Sequence, residues 1–223
     1  MQMPNCCLRI APDFHRAKFS AKVQATAFYR GMFQAQNFSV MMKTLEQLPA
    51  FTDGQKSVNV IIETPKGAPV KYSYRPESGA FYAKRLLPPG MVFPFNFGFI
   101  PSTLEEDGDP LDILLLNEIS LACGCLVKAC LVAVVNAEQT EHGKTYRNDR
   151  IVGAVLDEES PAEFLKLDLN QRRLSEIQFF FATYNRFSGK EFRVLGTGGP
   201  EQAGQLVRKG EKNWEASKRK LLQ

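Results

Sequence analysis

The stretch EEDGDPLDILLL, from Glu105 to Leu116, places three aspartates directly before an apolar run that is typical of a buried strand. The three are Asp107, Asp109 and Asp112. Carboxylates this close repel one another, and burying them without a partner is costly. Gly108 and Pro110 favour a tight bend that turns the carboxylates toward one point, and oxygen ligands of this type suit Mg²⁺, with Mn²⁺ as the alternative ion. The stretch therefore predicts a metal site, and a solvated acidic turn is the other interpretation.

Composition is that of an ordinary globular protein, because 44% of the 223 residues are hydrophobic and 23% are charged. No apolar run reaches the roughly 18 residues that a membrane span needs, so no membrane partner is expected. The formal net charge of +4 is carried by residues 1–40, which contain five Lys or Arg residues and one acidic residue, Asp13. The rest of the chain is neutral, so no nucleic-acid partner is expected either.

The cysteines do not indicate a metal or redox site. The five are Cys6, Cys7, Cys123, Cys125 and Cys130. Cys123 and Cys125 lack a His or Cys partner at zinc spacing, and the chain has only two histidines. We interpret the five as reduced thiols in a cytoplasmic protein.

Residues 1–41 show neither a hairpin pattern nor a helical period, and they contain no signal-peptide core. We predict that they form a disordered N-terminal extension ahead of a single domain of residues 42–223. Their basic, nearly acid-free composition allows two other interpretations. One is an organelle transit peptide, and the other is translation from too early a start, since Met41 and Met42 offer a natural beginning.

Strand patterns begin at residue 57. Alternation and β-branched residues predict strands in SVNVIIET (57–64), in both arms of a hairpin (70–74 and 80–86, with a turn at 76–79), in CLVKACLVAVV (125–135) and in RIVGAVL (150–156). The polar run between the last two, residues 136–149, is predicted to be a loop or a long hairpin tip.

The period then changes from strand to helix. The residues Ser160, Pro161 and Glu163 form a capping box with proline at the first helical position. Helical spacing follows at Leu174, Ile177, Phe181 and Tyr184. A short strand, EFRVL (191–195), precedes a last helix with Ala203, Leu206, Val207 and Trp214. Many strands followed by two helices predict an α+β domain, with a small closed barrel flanked by helices.

Cationic residues near the aspartates favour a phosphate ligand. Lys71 and Arg85 lie on opposite arms of the predicted hairpin, and Glu63 ends the strand before it. Each alone is typical of a surface charge. Together, beside an aspartate cluster, they indicate a phosphate clamp next to a metal site.

The run IIETPKGAPVKYSYRPESGAFYAKRLLPPGMVFPFNFGFIPSTLEEDGDPLDILLL (61–116) resembles family I soluble inorganic pyrophosphatases. The likeness extends from about Val58 to Leu195, and its most specific part is FGFIPSTLEEDGDPLD. The resemblance implies a five-stranded OB-like β-barrel with two C-terminal helices, in a cytoplasmic homo-oligomer. It also implies Mg²⁺-dependent hydrolysis of inorganic pyrophosphate to two phosphates.

The resemblance assigns roles to eight residues. Metal ligands are Asp107, Asp109, Asp112 and Glu63, and Asp109 also takes the proton of the metal-bound water. Lys71, Arg85, Arg150 and Tyr184 bind the substrate, and Lys71, Arg85 and Tyr184 are counted with Asp109 as catalytic. Arg150 stands where the family has a lysine.

The chain also departs from the family pattern. Ser73 replaces a glutamate, Phe97 a tyrosine and Asn185 a lysine. The second acidic cluster is poorly kept, so that its metal ligands stay open among Glu138, Glu141, Asn148 and Asp149.

Two rival functions follow from these departures and from the predicted barrel. The first is a catalytically impaired relative that binds Mg²⁺-pyrophosphate or a related phosphoanhydride. The second is an OB-like barrel that binds single-stranded nucleic acid. The latter is disfavoured because the aromatic residues that would stack on bases are interpreted as core and site wall. These are Phe93, Phe95, Phe97 and Phe99.

Overall fold

The computed structural model describes residues 44–52, 57–156 and 169–221, and the account below concerns those residues. The predicted N-terminal extension and the capping box at Ser160 lie outside them. No helix in the described ranges is long and apolar enough to cross a membrane.

The described residues form nine strands and two α-helices, preceded by a short 3₁₀ turn at Leu45–Gln47. The strands are β1 (Val58–Thr64), β2 (Val70–Arg75), β3 (Ala80–Leu86), β4 (Asn96–Phe99), β5 (Asp112–Leu115), β6 (Leu126–Glu141), β7 (Lys144–Arg147), β8 (Arg150–Val155) and β9 (Glu191–Gly198). Helix α1 (Gln171–Arg186) lies between β8 and β9, and helix α2 (Pro200–Leu221) follows β9.

Five strands close into a ring in the order β1, β4, β5, β8 and β6, and β6 pairs back with β1. Ile61 in β1 shows the closure, since it lies opposite Phe99 of β4 on one side and Leu126 of β6 on the other. At Gly98 of β4 the strands approach so closely that a Cβ atom would lie 2.1 Å from the Ile61 carbonyl oxygen. The predicted α+β fold, with a small closed five-stranded barrel and two C-terminal helices, is confirmed.

Strand β6 continues beyond the ring, where it pairs with β7 on one edge and β9 on the other. The polar run 136–149, predicted to be a loop or a long hairpin tip, is therefore the outer part of a hairpin. Its turn is at His142 and Gly143, and Gln139 lies opposite Tyr146. This hairpin and the separate β2–β3 hairpin project from the ring and supply two walls of the site described below.

Helix α1 covers one face of the ring. Asn170 caps its N-terminus by accepting a 3.0 Å hydrogen bond from the Arg173 amide. Its apolar side, with Ile177 and Phe181 buried, packs on a cluster that includes Phe93 and Phe97. The four aromatic residues predicted to be core or site wall are all buried: Phe93, Phe95, Phe97 and Phe99. Aromatic rings packed in this way are not available as a stacking platform for bases.

Helix α2 packs on the other cluster, through Ala203 and Val207. Strand β5 supplies both clusters in alternation, with Ile113 and Leu115 in the one beneath α2 and Leu114 in the one beneath α1. This alternation explains why the segment is apolar at every position. It also holds the residue that begins β5, Asp112, at a rigid edge of the ring.

Candidate active site

The aspartates lie on a compact loop between β4 and β5. The Glu105 amide donates to the Asp109 carbonyl oxygen at 2.8 Å, and Gly108 adopts a φ of 92°, which a side chain would disfavour. Beneath the loop, the buried Thr103 hydroxyl accepts a 3.0 Å hydrogen bond from the Leu111 amide. The predicted tight bend is therefore present, and both of its ends are anchored in the core.

Helix α2 holds the same loop from outside. The Leu104 amide donates to the Gly210 carbonyl oxygen at 3.0 Å, and Asn213 Nδ2 donates to the Leu104 carbonyl oxygen at 3.1 Å. A Cβ atom at Gly210 would lie 2.7 Å from Leu111 Cδ1, so a larger residue here would require the Leu111 side chain to move.

A cavity of about 330 Å³ opens between the aspartate loop, the two projecting hairpins and the C-terminal end of α1. All eight residues that were assigned roles line it: Glu63, Lys71, Arg85, Asp107, Asp109, Asp112, Arg150 and Tyr184. The structure thus gathers in one place side chains that are separated by more than a hundred residues along the chain.

The carboxylates of the loop are held in different ways. Asp112 forms an ion pair with Arg150, whereas Asp107 Oδ1 accepts a 3.1 Å hydrogen bond from the Asp109 amide. Burial, reinforced by the neighbouring Asp107 carboxylate, raises the pKa of Asp109. Within the described ranges, no three His, Cys, Asp or Glu residues converge closely enough to hold a metal ion.

Glu63 is 6% exposed and faces the cavity from the end of β1. Its Oε1 atom accepts hydrogen bonds from the Tyr74 amide at 2.7 Å and the Ser73 hydroxyl at 3.1 Å. Burial raises the pKa of the Glu63 carboxyl. Ser73, which replaces a family glutamate, therefore supports the remaining carboxylate instead of adding a second one.

Lys71 and Arg85 lie directly opposite each other in the β2–β3 ladder, so their side chains leave the hairpin on the same face. Lys71 Nζ lies 3.7 Å from the centroid of the Phe97 ring, a cation–π contact. Burial lowers the pKa of Lys71. The aromatic residue that replaces a family tyrosine is therefore a platform beneath a cationic residue of the site.

Arg85 and Tyr184 are in contact where the β2–β3 hairpin meets the C-terminal end of α1. The Arg85 guanidinium lies 5.3 Å from the Tyr184 ring centroid and is hydrogen-bonded to the Ser188 hydroxyl. That hydroxyl donates in turn to the Tyr184 carbonyl oxygen at 3.2 Å. Burial raises the pKa of the Tyr184 phenol, so the hydroxyl remains a donor at neutral pH.

Two amide side chains form another part of the cavity lining. Gln139 and Asn148 both line the cavity, and they are 5% and 8% exposed. Asn148 Nδ2 donates to Gln139 Oε1 at 2.9 Å. This part of the wall is uncharged.

The neighbouring carboxylates point elsewhere, because side chains alternate along a strand. Glu138 is hydrogen-bonded to Arg193 at 2.9 Å, and Asp149 accepts hydrogen bonds from Arg147 and from the Ala137 amide. Asp149 lines a separate cavity of about 410 Å³ beside α2. Of the four residues left open as ligands of a second metal, only Asn148 is among the residues that line the cavity of the aspartates. Glu141 Oε2 instead lies 2.7 Å from Lys190 Nζ.

Several cavity residues have no counterpart in the sequence-based assignment. Among them are Glu105, Gln139, Tyr146 and Lys190. Burial, together with the Asp112 and Asp107 carboxylates, raises the pKa of Glu105 to about 8. Its position two residues before Asp107 is the signal that could have identified it. The hairpin register, which sequence alone did not fix, was needed for the others.

Two buried donors of the cavity lining have no hydrogen-bond partner among the described residues. They are Arg150 Nε and Asn185 Nδ2. Leaving a buried donor unpaired is costly, and both atoms are enclosed by protein although their side chains line the cavity.

Comparisons with known proteins agree with this fold and this cavity. The family model for inorganic pyrophosphatase matches residues 60–215. The inorganic pyrophosphatase of Aeropyrum pernix is 37% identical over 153 residues, covering 68% of this chain and 86% of the relative, and that of Thermus thermophilus is 34% identical over 151 residues, covering 67% and 84%. The crystal structure of the Thermus thermophilus inorganic pyrophosphatase matches with a TM-score of 0.69 at 32% identity, over 78% of this chain and 99% of that one. The chain belongs to the inorganic pyrophosphatase family.

Proposed function

We propose that this protein hydrolyses inorganic pyrophosphate to two phosphates in a Mg²⁺-dependent reaction. The observation that carries the proposal is one cavity lined by both carboxylates and cationic side chains. Asp107, Asp109 and Glu63 line it together with Lys71 and Arg85. A phosphoanhydride bound with a divalent cation has the matching charge distribution.

The carboxylates that line the cavity are of the donor type that Mg²⁺ binds. The donors are oxygen atoms only, which Mg²⁺ prefers. The pKa of Asp109, Glu63 and Glu105 is raised by burial, which is the state of carboxylates that lack a compensating cation. Asp107, Asp109 and Asp112 would hold the ion, with Glu63 nearby, and to do so they would have to converge more closely than they do without it. When bound, it lowers the pKa of a water and polarises phosphate oxygens.

Asp109 is the proton acceptor in this proposal. Asp112 is engaged by Arg150, and Asp107 already accepts a hydrogen bond from the Asp109 amide. The Asp109 carboxylate is left to receive the proton of the attacking water.

The cationic side chains that line the cavity position the substrate. Lys71 and Arg85 are fixed by the Phe97 ring and by Ser188, so their charges meet the phosphates with little loss of side-chain freedom. The neutral Tyr184 hydroxyl and the Arg150 guanidinium add two more hydrogen-bond donors to the cavity lining. Together they would stabilise the charge that develops on the leaving phosphate.

The rival function is binding without turnover. It is favoured by Ser73, Asn185 and Asn148, each of which stands where the resemblance implies a charged residue. Hydrolysis is the better-supported function because the residues assigned to water activation, Asp107, Asp109 and Asp112, are all present and line the same cavity as the cations.

We further propose that the protein is a cytoplasmic homo-oligomer. Phe179 and Phe187 on the outer face of α1 are 75% and 68% exposed, and they line an apolar groove with Met91. A cluster of exposed aromatic residues of this kind is typical of an association surface.

The proposal is tested by phosphate release from pyrophosphate, with and without Mg²⁺, by the wild type and by Asp109→Asn. We expect Mg²⁺-dependent release that Asp109→Asn lowers by about 10²–10⁴-fold, the usual contribution of a general base. Glu106→Gln is the matched control, because Glu106 is on the same loop but does not line this cavity. An Asp109→Asn rate equal to that of the control would contradict the assignment.

A further inference from the structure

We propose that Lys190 is a phosphate-binding residue of this cavity, and that it supplies the cation that the chain lacks at Asn185. The inference rests on the proposed function, since it requires an anionic phosphoanhydride ligand. It adds a binding residue from the turn after α1.

Lys190 is next to Asn185 in space although the two are five positions apart in the chain. Gly189, with a φ of 69°, turns the chain back after the helix, and the Lys190 amide donates to the Asn185 carbonyl oxygen at 3.0 Å. Both side chains line the cavity. A cation from Lys190 can therefore reach the end of the cavity where the helix itself presents only an amide.

The side chains that line this end of the cavity are mainly hydrogen-bond donors. Asn185 is 4% exposed, and its Nδ2 atom has no partner among the described residues. Tyr184 and Arg85 add a hydroxyl and a guanidinium to the same wall. A phosphate oxygen placed beside Tyr184 and Arg85 would meet the Lys190 ammonium as well.

A hydrogen-bonded chain holds Lys190 in place. Its Nζ atom lies 2.7 Å from Glu141 Oε2, and the Tyr146 hydroxyl donates to the same carboxylate at 3.0 Å. Gln139 donates to that hydroxyl, and Asn148 donates to Gln139. The chain links the lysine to the uncharged wall, so that one network positions both.

The ion pair does not account for the lysine by itself. Lys190 and Glu141 side chains are 25% and 27% exposed, and ion pairs at such sites contribute little to stability. Lys190 lines the cavity, whereas Glu141 does not. The arrangement is that of a ligand-facing cation with a carboxylate behind it.

The test is calorimetric titration of the full chain with imidodiphosphate, a pyrophosphate analogue with a non-hydrolysable bridge, in the presence of Mg²⁺. We expect Lys190→Gln to weaken binding about ten- to a hundredfold, the usual effect of losing a hydrogen bond between charged groups. Lys190→Arg should recover part of this loss. Asn185→Lys should restore affinity in the Lys190→Gln background and change it little in the wild type.

Two control variants separate binding from structural support. Lys66→Gln removes a lysine of similar exposure, paired with Glu118 at 2.9 Å and outside the cavity, and should leave affinity unchanged. Glu141→Gln keeps a hydrogen-bond acceptor beside the Lys190 ammonium and should weaken affinity less than Lys190→Gln does. If Lys190→Gln and Glu141→Gln weaken binding equally, the lysine only braces the hairpin, and the proposal is overturned.

Other outcomes are equally decisive. A Lys190→Gln protein that binds like the wild type, or an Asn185→Lys change that restores nothing, overturns the assignment. Hydrolysis can then still stand, since phosphate release is measured separately. Conversely, Lys190-dependent binding without phosphate release supports the assignment and contradicts the proposed hydrolysis. No binding by the wild type overturns both.

Discussion

Asn148 donates a 2.9 Å hydrogen bond to Gln139, and both side chains are buried in the wall of the cavity that the aspartates line. The pair is neutral, so this part of the cavity lining offers no carboxylate. The carboxylates that line the cavity are on the aspartate loop and at Glu63.

Replacing Asn148 by aspartate should make the apo protein less stable. The new carboxylate cannot donate to Gln139, and two acceptors then face each other in a buried site, at a cost of about 1–3 kcal/mol. Mg²⁺ should stabilise this variant more than it stabilises the wild type. Thermal unfolding with EDTA and with millimolar Mg²⁺ checks both statements, and an equal Mg²⁺ effect in the two proteins would contradict them.

Removing a carboxylate of the aspartate loop should remove the response to Mg²⁺. A metal that binds only the native state stabilises it by about 2.7 kcal/mol at a hundred times its dissociation constant. Asp112→Asn should abolish most of this gain. It should also lower the stability of the apo protein by about 1–3 kcal/mol, because Arg150 loses its charged partner.

Asp107→Asn is the companion variant for that experiment, since Asp107 is exposed and no salt bridge to it is found among the described residues. It should lose the Mg²⁺ effect without the loss of apo stability. A wild-type melting curve that does not move with Mg²⁺ would count against the metal site itself.

Stability should fall with rising pH because of Glu105. Its pKa is raised from 4.5 to about 8, so the folded protein holds a proton that the unfolded chain releases. Unfolding therefore becomes easier as the pH rises from about 4.5 to about 8. Glu105→Gln should flatten this part of the profile in EDTA and should be more stable than the wild type at pH 8. Parallel profiles for the two proteins would show that Glu105 does not carry the effect.

Phe97→Tyr should leave phosphate release unchanged or raise it by up to about ten- to a hundredfold. The added hydroxyl can hydrogen-bond to a charged group in the cavity, which is worth about 1.5–3 kcal/mol if it acts only in the transition state. Phe97 is 1% exposed and lies under Lys71, so the variant needs a stability measurement alongside its rate. A lower rate in a fully stable variant would show that the plain ring is required.

A chain that starts at Met42 should unfold within error of the full chain. Residues 1–40 have no apolar period able to bury surface, while the described residues already contain two buried clusters that pack against α1 and α2. A clear loss of stability on truncation would show that the segment belongs to the fold. Import of a reporter fused to residues 1–40 into an organelle would favour the transit-peptide interpretation.

Much of the fold could be predicted from sequence because its patterns are local. The β2–β3 hairpin and the α1 periodicity are set by alternation and by helical spacing, and Asp107 to Asp112 lie within one bend. These features bring their side chains to the cavity without any knowledge of distant pairings.

The β6–β7 half could not be predicted, because its register depends on pairing. The outer part of β6, which pairs with β7 on one edge and β9 on the other, carries polar side chains on both faces. Alternation therefore does not indicate which face is the cavity. Gln139 was therefore missed, and Asn148 and Asp149 stayed unresolved. Glu105 was missed for a different reason, since its burial depends on α2, which packs against the loop from the far end of the chain.

Turnover measured on protein already shown to bind separates the enzyme from its rival most directly. Purified full-length protein is first titrated with imidodiphosphate and Mg²⁺. Phosphate release is then followed in a separate sample at a saturating concentration of pyrophosphate. The account predicts sustained release that stops when EDTA removes the metal. Saturable binding with no release above background would contradict hydrolysis and would leave a pyrophosphate-binding protein in its place.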